Sequence, residues 1–192
     1  MKSVAVSDSS AGVITIVVVT KRPMIFEVGD QVVHPQHGVG QVVKLEAREF
    51  DSGVTRQYYE ISMPEGSTVW VPVDLETTGL RKPAGRSDIE MCRETLASHP
   101  APLTDDSRVR QANLAARLKQ GTILTFCEVV RDLYAYGEHK SLYGTIAGFY
   151  RVTKDVLCQE WAVVEGISVA EAVLEVDSLL ETGREVIKTA RA

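Results

Sequence analysis

Apolar and polar positions change their rhythm part-way along the chain. From residue 24 to about residue 83, β-branched and aromatic residues come in short runs broken by Gly, Pro, Asp and Ser, a pattern of strands and turns. Val28, Val32-Val33, Val39 and Val42-Val43 supply an opening pair of strands around a turn that carries Pro35, Gly38 and Gly40, and Gly29-Asp30 marks a tight turn before the first run. A hairpin follows, from Val42 to Phe50, through a turn at Asp51-Ser52-Gly53, and back from Arg56 to Met63. Pro64-Glu65-Gly66 turns the chain into a last strand from Ser67 to Val73, where Pro72 marks an edge or an end. Five short strands with frequent turns predict a small, strongly bent antiparallel barrel.

Beyond Gly79 the spacing becomes helical. Ser87 with Glu90 has the form of a capping box that opens a helix to about Ala97. Asp105, Asp106 and Ser107 offer caps for a second helix that runs to Gly121. Ile123, Phe126-Cys127, Val130 and Leu133-Tyr134 share one face of a third, closed by Gly137. A longer helix spans about 142–164, and Ser168 with Glu171 caps a last one that continues to about residue 181. The predicted fold is α+β: an N-terminal SH3/Tudor-like five-stranded β barrel over residues 24–83, then a compact all-helical domain of about five helices over residues 84–192. Residues 1–23 remain. Their apolar run at 13–19 either adds an edge strand or belongs to an N-terminal extension, disordered and upstream of a natural start at Met24. The prompt onset of the strand pattern after Met24 favours the extension.

Composition narrows the function classes. The net charge of −5 supplies no overall basic field, so any nucleic-acid contact must come from a local patch. No run approaches the ~20 apolar residues that cross a bilayer, and Cys92, Cys127 and Cys158 are too scattered for a disulfide framework and read as buried thiols of a reducing cytoplasm. His34 and His37 lack companion ligands at usable spacing, and the chain has no nucleophile elbow, phosphate loop or dinucleotide fingerprint. A non-enzymatic protein is therefore expected, with no catalytic residue, metal or cofactor.

One helix concentrates positive charge. Arg108, Arg110, Arg117 and Lys119 stand on it without an acidic residue between Ser107 and Cys127. Arg110 and Arg117 share one line, Arg108 and Lys119 the opposite one, with Leu114 and Leu118 between. The four are either basic rims of a solvated helix or a phosphate-contacting surface. If all four meet phosphates, the log–log salt slope is about −3.6, a loss of roughly 100-fold between about 50 and 200 mM salt. On the last strand, alternation that turns Val69 and Val71 inward turns Trp70 outward, where it either anchors a partner or covers the barrel's open side. Trp161 reads as core.

The opening run Phe26-x-Val28-Gly29-Asp30-x-Val32-Val33-x-Pro35-x-His37-Gly38-Val39-Gly40 resembles the start of the CarD/CdnL family of bacterial RNA polymerase-binding transcription regulators. Gln111-Ala112-Asn113-Leu114, Lys119-Gln120-Gly121 and Glu128-Val129-Val130-Arg131-Asp132-Leu133-Tyr134 resemble that family's helical domain. The resemblance implies a cytoplasmic regulator that docks its β domain on the polymerase β subunit by strand addition, with Arg48, Phe50 and Trp70 at the matching positions. It also implies that the helical domain contacts promoter DNA at the upstream edge of the bubble and holds the open complex, here through Arg108, Arg110, Arg117 and Lys119. Relatives carry a wedge Trp just before the Ser-Arg pair, where this chain has Asp106, and a basic residue early in the next long helix, where it reads Ile146-Ala147-Gly148. Polymerase binding with weakened or altered promoter contact is therefore expected. Two alternatives follow from the same residues. One is a protein-only polymerase adaptor; the other is a KOW/Tudor-type nucleic-acid-binding barrel, which the excess of acidic over basic residues in 24–83 disfavours.

Overall fold

The computed structural model describes residues 26–49, 55–73 and 79–190, with side chains as far as residue 184. The run at 13–19, the turn at 51–53 and Phe50 lie outside the described residues. Four strands, β1 (Gln31–His34), β2 (Gly38–Glu49), β3 (Thr55–Ser62) and β4 (Thr68–Pro72), form one antiparallel sheet in the order β1-β2-β3-β4. Among the described residues four strands stand where five were expected: the runs at 39–43 and 42–49 belong to one long strand. The pairing of β2 with β3 shifts register between Val42 and Lys44, and there the alternation slips: Val43 and Lys44 are consecutive and both face solvent. A bulge of this kind bends and twists a strand without ending it. The sheet curls into a half-barrel, and a single bridge from Val33 to Arg81 brings the chain back against β1.

Inside the curl lie Phe26, Val32, Val42, Tyr59, Ile61, Met63, Val71 and Leu80. The Tyr59 hydroxyl accepts the Phe26 N–H at 3.0 Å, and the two rings meet edge to face. Gly40 is needed for space: a Cβ there would lie 2.6 Å from Ile61 Cγ2 and 2.7 Å from Met63 Sδ.

Among the described residues five helices follow: α1 (Arg86–Leu96), α2 (Ser107–Leu118), α3 (Ile123–Gly137), α4 (Gly144–Glu165) and α5 (Val169–Ala190). The cap of α5 is the expected box, with Ser168 N–H donating to Glu171 and Glu171 N–H to Ser168 Oγ. The cap of α1 is not. The helix starts at Gly85, whose N–H donates to Asp88 at 2.8 Å, so Ser87 and Glu90 lie inside the first turns. Cys92, Cys127 and Cys158 are all buried and unpaired, packed with Leu96, Val130, Leu157, Trp161, Val176 and Leu180 in the helical core. Burial pushes the Cys127 thiol well above its ordinary range and Cys158 up to about 12, which makes both poor nucleophiles. Trp161 is core as expected, its indole N–H donating to Glu175 at 3.0 Å. Sheet and helices meet through a smaller apolar cluster of Val33, Val39, Phe126 and Val156.

Candidate functional site

Alternation along β4 buries Val71, packs Val69 against the sheet's core and leaves Trp70 on the outer face. There Lys44, Glu60 and Trp70 stand side by side across β2, β3 and β4. The Arg48 guanidinium carbon lies 3.6 Å from the centroid of a Trp70 ring, a stacking geometry that holds the indole in place. Glu46 sits between Lys44 and Arg48, at 3.1 and 3.0 Å. Hydrogen bonds from Lys44 first, then Arg48, lower its carboxyl pKa. The outer face is thus an aromatic platform edged by alternating charges, on a strand that pairs with β3 alone among the described residues. Of the three positions expected to meet a partner, Arg48 and Trp70 are brought together here.

The basic helix is divided by its own packing. Asp106 caps α2, its carboxylate accepting the N–H groups of Arg108 at 2.8 Å and Val109 at 3.0 Å. Leu114 is fully buried, and the line of Arg110 and Arg117 lies on that same side. Arg110 is itself buried, donating to the Thr104 and Asp105 carbonyls and lying 4.8 Å from the Tyr136 ring centroid. Arg117 pairs with Asp132 at 2.9 Å and Glu128 at 3.4 Å. Arg108 and Lys119, on the other line, are exposed and join no ion pair among the described residues. The four charges therefore do not form one surface: two tie α2 to its neighbours and two face water.

Asp132 is the residue that sequence reasoning missed. Its side chain is fully buried in α3 and accepts from Arg117, from Arg131 and from the Ala101 N–H at 2.9 Å. A signal for it exists in the pattern. Val129 and Leu133 make α3 apolar on a second face, and a helix apolar on most sides is enclosed, so a carboxylate there needs partners. The His34 and His37 rings lie with centroids 4.6 Å apart and planes tilted by 43°, and among the described residues no three His, Cys, Asp or Glu side chains gather as a metal site would require.

Residues 26–83 match the CarD-like/TRCF RID domain, and residues 93–177 match the CarD C-terminal domain. The chain belongs to the CarD-like family. A Bacillus subtilis (strain 168) protein named "Putative transcription factor YdeB" is 27% identical over 150 residues, which take in 75% of this chain and 95% of that protein. The CarD-like family is one of transcription factors, not a known class of enzyme. Both matched spans contain the geometry just described: the outer face of the sheet lies in the first, and α2 with its Asp132 anchor in the second. Among the described residues no helix is long and apolar enough to cross a membrane.

Proposed function

We propose that this CarD-like chain is a non-enzymatic transcription regulator of the bacterial cytoplasm. Residues 24–83 dock on the β subunit of RNA polymerase and residues 84–192 face promoter DNA near the upstream edge of the bubble. The observation that carries the reading is the outer face of the sheet, where the Trp70 and Arg48 pair lies beside the β4 edge. Strand addition at such an edge supplies backbone attachment, and an ordered Trp supplies a partner anchor. Binding of the full chain to isolated β subunit tests it. Trp70→Ala should weaken binding by about 30-fold, the loss of a hot-spot residue worth about 2 kcal/mol. No binding of the parent chain at micromolar concentration would refute the docking.

DNA contact in this reading falls to Arg108 and Lys119, with Arg110 and Arg117 holding the helix that presents them. A second reading, the protein-only adaptor, is favoured by that inward turn of two cations and by the capping carboxylate at Asp106. Open-complex lifetime separates the two. A lifetime unchanged by the protein, with polymerase binding intact, points to the adaptor.

A further inference from the structure

We infer that Gln159 and Glu160, consecutive on α4, lock the sheet and the helical half into one rigid body, so that the spacing between the Trp70 face and the α2 face is set within the chain. The use made of that spacing rests on the docking reading above; the rigidity does not.

Glu160 is fully buried, and its carboxylate takes both terminal nitrogens of Arg81, at 2.5 and 2.6 Å, with the Ala84 N–H at 2.8 Å. Arg81 is held from every side. Its backbone exchanges hydrogen bonds with Val33 of β1, at 2.8 and 3.2 Å, and its Nε donates to the Gly121 carbonyl just before α3. One residue, through backbone and side chain together, thus ties β1, the connection after the sheet, the start of α3 and the later half of α4. A forked pair on a fully buried acid has a single geometry, because any displacement leaves a desolvated charge without its partner. Gln159 grips the sheet at a second point. Its Oε1 accepts the Val39 N–H at 3.2 Å, and its Nε2 is oriented by Asp155 at 3.1 Å. Gly38, at φ +82°, lies so close to that amide that a Cβ would overlap it. The apolar cluster of Val33, Val39, Phe126 and Val156 fills the seam. Two polar attachments on different sheet elements, with an apolar seal, remove the hinge that a joint at the connection alone would leave. The turn of the first hairpin, read from sequence as one that carries Pro35, Gly38 and Gly40, is here a docking surface for α4.

Residual dipolar couplings on the full chain test the lock. The parent chain is expected to fit one alignment tensor for sheet and helices. Arg81→Lys keeps the charge but loses the fork, and Gln159→Ala removes the second grip. The double variant should need two tensors while each half keeps its own amide spectrum. Glu160→Gln is a harsher third variant, and the milder pair decides the matter if it fails to fold. A parent chain that needs two tensors, or a double variant that still fits one, would overturn the inference. Its functional half is read from open-complex lifetime. At β-subunit affinity within twofold of the parent, the double variant should lose at least two-thirds of the parent's effect, and a retained full effect would overturn it. Failure of the parent to bind the β subunit would instead sink the docking reading, and the tensors still decide the rigidity.

Discussion

Replacing Asp106 by Trp sets two uses of one position against each other. The carboxylate accepts two backbone N–H groups at the start of α2. Loss of such a cap costs about 1 kcal/mol, and loss of a negative charge at a helix N-terminus about 0.5 kcal/mol more. For a chain of this length, about 1.5 kcal/mol lowers the unfolding temperature by about 3–6 °C. Asp106→Ala measures that cost alone, and Asp106→Asn, which keeps the cap without the charge, should recover most of it. On DNA, an indole at 106 would fill a partly unstacked base step, whose opening costs on the order of a few kcal/mol. Recovering about 1.4 kcal/mol of that is about tenfold in lifetime. Competitor-challenged open complexes, formed with polymerase and the full chain, should therefore last about tenfold longer with Asp106→Trp than with Asp106→Ala, although both variants are equally destabilised. Equal lifetimes would refute the account of the missing wedge. An unchanged unfolding temperature for Asp106→Ala would refute the account of the cap.

The remaining predictions are more local. With Arg110 and Arg117 turned inward, two phosphate contacts remain, so promoter binding should follow a salt slope of about −1.8, a loss of roughly 12-fold between about 50 and 200 mM salt; a flat response or a slope near −3.6 would contradict the division of the helix. Asp132→Ala takes the buried carboxylate from Arg117 and Arg131 and should cost about 3–5 kcal/mol in urea unfolding; a loss below about 1 kcal/mol would remove Asp132 as the anchor of α2. Gly40→Ala overpacks the sheet against Ile61 and Met63 and should cost about 1–3 kcal/mol by the same assay. Burial first, and the neighbouring His37 second, lower the His34 pKa to about 4, and its Nδ1 accepts the Gln36 N–H at 3.2 Å. The unfolded chain therefore takes up a proton at His34 near pH 6.5 that the folded chain refuses until about pH 4, so stability falls across that window as pH drops. His34→Gln should flatten that limb of the pH profile, and an unaltered limb would clear His34 of the effect.

Signals confined to one turn of chain were legible. Asp106 and Ser168 are caps because each meets N–H groups two or three residues away, and the spacing of Ile123, Phe126, Cys127 and Val130 marks a buried face whatever lies opposite. The same locality misled at Ser87, since a Ser-x-x-Glu spacing looks alike at a helix start and one turn inside it. The division of β2 into two runs has a related cause at Val43-Lys44: a bulge and a strand end both break the alternation, and only the pairing partner tells them apart. The joints were illegible because their halves are distant in sequence. Glu160 meets Arg81 and Asp132 meets Ala101, and a helical window can show at most that an acid is enclosed, not which distant residue answers it.

The candidate site was legible in kind, and its division was not. Helical spacing places Arg110 with Arg117 and Arg108 with Lys119, but it cannot say which line faces inward when the apolar stripe is as thin as Leu114 and Leu118. Asp132 settles the choice. A fully buried carboxylate needs partners for both oxygens: Arg131 and the Ala101 N–H take one, Arg117 of α2 takes the other, and Arg110 follows it inward by sharing its line. What α2 can offer a polyanion is therefore decided on α3, a helix that none of the four basic residues occupies. The contact surface is what the anchoring leaves over, and its strength should respond to changes at Asp132 as surely as to changes at Arg108.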